Sequence, residues 1–126
     1  MDIGKLKNNI SYYEGYEGEP EVVVALKGAE DITLHIWDGY FDDMFSTPLN
    51  RNGSWSGFTR DYQECVGAWG ETAFTEIKNP EEYLADIKLY EGRKFEYEET
   101  GEVTLMLIQL LEYAVHNKME VEVYIK

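Results

Sequence analysis

Cysteine occurs once in the 126 residues, as Cys65. An intramolecular disulfide is therefore excluded, as are the CxxC spacings of structural zinc sites. No apolar run approaches the roughly 18 residues of a membrane span, and the opening MDIGKLKNNI lacks the apolar stretch of a signal peptide. These absences predict a reduced, cytoplasmic protein. Bases are scarce as well: eleven Lys and Arg stand against twenty-five Asp and Glu, a formal charge of −14 at pH 7. Such a field repels phosphate backbones and anionic lipid headgroups, so neither nucleic acid nor a membrane is an expected ligand. It attracts basic proteins, and steering of this kind raises association rates by roughly 10–10³-fold.

Catalytic vocabulary is thin too. Of the two histidines, His35 falls within a strand pattern and His116 within the last turn of a helix. No serine sits in a nucleophile-elbow context, and no glycine-rich loop has phosphate-binding spacing. Cys65 follows Asp61 and Glu64, whose charges work against a thiolate nucleophile. Paired carboxylates such as Asp42/Asp43 and Glu98/Glu99 have the chemistry for glycosidase-type acid–base work, but adjacent acids arise by chance in so acidic a chain. The expectation is a protein that is not an enzyme and holds no cofactor.

What is present is a globular composition, 44% hydrophobic and 14% aromatic, sufficient for a single domain over residues 1–126. EVVVALK (21–27) and ITLHIWD (32–38) read as strands, joined across Gly28. ISYY (10–13), FTRDYQECV (58–66) and TAFTEI (72–77) are further strand candidates. The closing MEVEVYIK alternates Met119, Val121, Val123 and Ile125 with polar positions, the period of a strand with one wet face. NPEEYLADIKLYEG (79–92) carries a full set of helix signals. Asn79 is the N-cap, Pro80 the first position, Glu82 the capping-box partner and Gly92 the stop. GEVTLMLIQLLEYAVHN (101–117) predicts a second helix, capped by Thr100, with an apolar arc broad enough for burial against both a sheet and the first helix. Strands, then two helices, then a strand predict an α+β domain: an antiparallel sheet of four to six strands with two helices on one face.

The most concentrated chemistry lies in WDGYFDDMF (37–45), read as a turn following a core strand. Asp38, Asp42 and Asp43 supply oxygen ligands for a hard cation, but the alternation, central glycine and closing glutamate of a calcium loop are missing. A metal is not expected there. Tyr, Trp, Phe and Met are the residues that anchor protein interfaces. Phe41, Phe45 and Trp69 are expected to be buried, whereas Trp37, Tyr40 and Trp55 are expected at the surface. With Asp38, Asp42 and Asp43, those three rings form the candidate partner-binding set.

A small acidic α+β chain with a strand-forming N-terminal half, an aromatic loop-rich middle and the helical segments NPEEYL and EETGEVTLMLIQLLEYA resembles the immunity proteins of bacterial polymorphic toxins, including contact-dependent growth inhibition systems. The resemblance implies a role: binding a cognate toxin domain, often a nuclease, and blocking its active site or substrate groove. The partner is expected to be basic and the free chain a monomer. Two alternatives stay open: a small acidic enzyme or metal- or ligand-binding domain using residues 38–43 with His35, and a nucleic-acid mimic directed at DNA-binding proteins.

Overall fold

The computed structural model describes residues 3–45, 49, 55–64 and 74–125. Cys65, Trp69 and the GAWG segment lie outside the described residues. The α+β architecture is as expected. Five strands, β1 (Asn9–Tyr12), β2 (Glu21–Leu26), β3 (Ala29–Trp37), β4 (Phe74–Ile77) and β5 (Val121–Ile125), form one sheet in the order β1-β3-β2-β5-β4. All described pairings are antiparallel except β1 with β3, which is parallel, so the sheet is mixed. β2 lies at its centre and is buried from Val22 to Leu26, which is why its sequence reads as an unbroken apolar run rather than an alternation.

One face of the sheet carries Val22, Val24 and Leu26 beside Leu34, Ile36, Val121 and Val123. These residues join the helices in a single buried cluster. Helix α3 (Pro80–Ile87) begins as predicted: Pro80 is first, and Asn79 Oδ1 accepts the Glu82 N–H. A short 3-10 turn, Lys88–Tyr90, extends it. Helix α4 (Glu98–His116) buries Val103, Leu107, Leu110, Leu111 and Ala114, the centre line of the predicted arc. Leu105 stays exposed.

Two segments are helical where strand or turn was expected. WDGYFDDMF continues from β3 into helix α1 (Asp38–Phe45), which buries Tyr40, Phe41, Met44 and Phe45. Those positions are i, i+1, i+4 and i+5, a helical stripe that the flanking acids and Gly39 obscure. Tyr40, expected at the surface, is only 4% exposed. The segment predicted as a strand over 58–66 contains helix α2 (Gly57–Glu64), with Phe58 and Tyr62 one turn apart on its inner side.

Tyr97, the N-cap residue of α4, makes no side-chain cap bond. At the starts of both α2 and α4, carboxylates from another helix take the free donors. Asp86 of α3 accepts the Thr59 N–H at 2.9 Å and the Thr59 hydroxyl at 2.8 Å, and Glu82 accepts the Gly57 N–H at 3.3 Å. Glu82 therefore serves α2 rather than closing a box on Asn79. For α4 the donor-filled carboxylate is Asp43 of α1, which takes the Glu96 and Tyr97 N–H groups and the Thr100 hydroxyl. Thr100, predicted as the N-cap, is instead buried in the first turn of a helix that begins earlier. Gly57 has a φ of +55°, and a Cβ there would lie 2.9 Å from the Asp86 Cβ. Only glycine lets α2 approach α3 this closely.

Asp86 is fully buried, and burial raises its carboxyl from 3.8 to about 6, against the opposing bonds from Thr59. Between those two values the folded state binds more protons than the unfolded chain. This group's stabilisation is therefore complete below pH 3.8 and is lost as pH rises through about 6. Urea unfolding of wild type and Asp86→Asn should diverge accordingly. Relative to the variant, wild type should lose about 2 kcal/mol between pH 4 and pH 7. Parallel profiles would contradict this assignment.

Candidate protein-binding face

The end of β3, the start of α1 and the start of α4 meet at a cluster of rings. The Trp37 indole stacks on Tyr16, centroids 4.0 Å apart and planes 5° from parallel. It meets Tyr40 and Tyr97 edge-on at 5.2 and 5.6 Å. Its N–H donates to the Glu19 carboxylate at 3.1 Å, while the Tyr13 hydroxyl donates to the Glu19 carbonyl at 2.6 Å. The loop between β1 and β2 is thus folded against the indole. Gly39 belongs to this arrangement for a steric reason: a Cβ there would lie 2.4 Å from the Trp37 ring. Trp37 and Tyr16 are half-buried and Tyr97 is 38% exposed. Tyr40 forms the floor, its hydroxyl held protonated by burial and then by Tyr16.

Carboxylates surround these rings. Trp37, Gly39, Asp42, Asp43, Glu96 and Tyr97 line a hollow of about 340 Å³. Asp38, at the first position of α1, has its carboxyl raised above the ordinary range, first by burial and then by Asp42 and Glu19. Its neighbours' negative charge is therefore felt at close range, and a cation arriving here would relieve that repulsion. Asp42 accepts the Tyr62 hydroxyl, and Asp43 is committed to capping α4. Among the described residues, Glu19, Asp38, Asp42, Glu96, Glu99 and Glu102 form no ion pair. The Lys and Arg ion pairs fall elsewhere, at Lys7–Asp31, Lys27 with Glu76 and Glu120, Arg60 with Asp61 and Glu82, and Lys88–Glu112.

Of the predicted set, the structure brings together Trp37, Asp38, Tyr40, Asp42 and Asp43. Trp55 is 45% exposed just before α2, and no ring contact among the described residues joins it to the cluster. Tyr16 and Tyr97 were not anticipated. Glu19 and Glu96 belong to the acidic runs 14–21 and 96–102, whose sequence reading left open a solvated edge or a wider negative patch. Tyr16 sits among the acids of the loop between β1 and β2, and the cap from Asp43 sets Glu96 and Tyr97 beside Trp37. His35 bonds through Nδ1 to Glu21 at 2.7 Å, and no described bond connects it to Asp38, Asp42 or Asp43. Among the described residues no three His, Cys, Asp or Glu side chains are placed to hold a metal ion. No described helix is long and apolar enough to cross a membrane. Comparison of the chain with known protein families, with curated proteins and with solved structures found no match.

Proposed function

We propose that this chain is an immunity-type inhibitor, which binds a basic toxin domain of nuclease kind and occludes its active site or substrate groove. The observation that carries the reading is the convergence of Trp37, Tyr16 and Tyr97 with Glu19, Asp38, Asp42 and Glu96, which form no ion pair among the described residues. A lysine or arginine of the partner entering the hollow between Trp37 and Tyr97 gains both ring and carboxylate contacts. The ring contact contributes about 0.5–1 kcal/mol where exposed and about 2 kcal/mol once water is excluded. A nuclease presents such cations because it must bind phosphates, and an acidic face competes for the same groups.

The test is growth of cells expressing a candidate basic toxin domain encoded beside this chain, with and without the chain. Restored growth is expected, and growth arrest unchanged by the chain would refute the reading. With the purified pair, Asp42→Lys should slow association about tenfold at low salt, with little change in dissociation. The difference should shrink as ionic strength rises, read by stopped-flow. Association rates of wild type that do not depend on salt would contradict steering.

A further inference from the structure

We infer that the hollow between Trp37 and Tyr97 takes one arginine side chain of the partner, in preference to lysine. The inference rests on the docking reading above and names the group that enters. Among the described residues lining the hollow, Asp42, Asp43 and Glu96 are acids and none is a base. That lining excludes an anion. The hollow's volume of about 340 Å³ is too small for a turn of helix, which measures about 10–12 Å across with its side chains. A single cationic side chain matches both limits.

The lining also favours a planar cation. Trp37 and Tyr97 wall the hollow, their centroids 5.6 Å apart and their planes inclined at 67°. Tyr16 already covers one face of the indole, so a ligand has the rest of that ring and Tyr97. Gly39 lines the hollow without a side chain, and nothing from that position fills the space against the indole. A guanidinium is flat and weakly hydrated and stacks on such a ring, whereas an ammonium keeps its water and meets it as a point charge. The acceptors are spread in the same way. Asp43 is spent on the start of α4. Asp42 lies on α1, where Oδ1 accepts the Tyr62 hydroxyl and no described bond uses Oδ2. Glu96 lies just before α4, gives its backbone N–H to the cap, and has no described side-chain bond. Acceptors on two separate elements suit the donors of a guanidinium fork, which point outward in several directions from one plane. The three donors of an ammonium radiate from a single nitrogen.

The chain alone serves for the test, with no toxin present. The nitrogen-15-labelled chain is titrated with N-acetyl-arginine amide and, separately, with N-acetyl-lysine amide at constant ionic strength. The arginine derivative should move the Trp37 indole and Tyr97 amide resonances to saturation. It should bind about tenfold more tightly than the lysine derivative, the equivalent of one further charge-assisted hydrogen bond. Glu96→Gln changes an exposed side chain and leaves the backbone cap intact. It should weaken arginine binding about tenfold, change lysine binding less, and leave circular dichroism unaltered. Equal affinities for the two cations would overturn the inference. So would shifts scattered over the acidic surface without saturation, or arginine binding indifferent to Glu96→Gln. Growth protection is read in a different assay, so failure of the arginine preference and failure of the inhibitory reading are told apart.

Discussion

Asp43→Ala is expected to lower the free energy of unfolding by about 2–4 kcal/mol, the largest loss from any single carboxylate at this face. The carboxylate accepts three donors from the start of α4, at 3.0, 2.9 and 2.6 Å. Removing it leaves the part-buried Thr100 hydroxyl without this acceptor, returns the exposed Glu96 and Tyr97 N–H groups to water, and takes a negative charge from a helix N-terminus whose N-cap residue makes no cap bond. Asp42→Ala is the control. Its residue is exposed and contributes one bond to a tyrosine hydroxyl that water can replace, so its cost should stay below about 1 kcal/mol. Urea denaturation of the two variants decides it. Equal stabilities would mean that Asp43 is a surface acid and that α4 is anchored by its apolar face alone.

The second large effect concerns the complex. Trp37→Ala should raise the dissociation rate from the toxin domain about 100-fold while changing the association rate less than about threefold. The indole contributes area and stacking rather than charge, so its loss acts after encounter. Surface plasmon resonance separates the two rates, and the Asp42→Lys variant should show the converse pattern. Tyr40 cannot serve the same test: its ring is buried, and Tyr40→Ala would cost about 3–5 kcal/mol of fold stability. A Trp37→Ala complex that dissociates like wild type would remove the indole from the interface.

How far this was legible in the sequence varied with the range of the interactions involved. β2, β3, β5, α3 and the body of α4 were readable because their signals are local: β-branched runs, alternation, the Asn79-Pro80 start and an apolar arc. α1 and α2 were misread although they are as long as α3, eight residues each, because neither carries a local start signal like Asn79-Pro80. Over so short a span an aromatic stripe imitates a covered loop or a strand. Their stability comes from neighbours: α1 through Phe41 and Phe45 in the core, α2 through Asp86 and Glu82. The start of α4 was misplaced for the same reason, since its cap lies 54 residues away from Tyr97 in the chain. That Trp37 and the three aspartates lie in one stretch was visible in nine residues. The roles differ, however: Asp43 holds a helix, Tyr40 packs beneath, and Asp38 and Asp42 remain beside the rings.

The central claim is that a cationic protein docks on the face around Trp37. The most direct measurement is a titration of the nitrogen-15-labelled chain with the basic toxin domain it is proposed to bind, following the indole N–H resonances of its three tryptophans. The Trp37 signal, whose N–H donates a hydrogen bond to Glu19 in the free protein, is predicted to shift and to saturate at one toxin domain per chain. A saturating complex in which the Trp37 resonance stays in place would contradict the account.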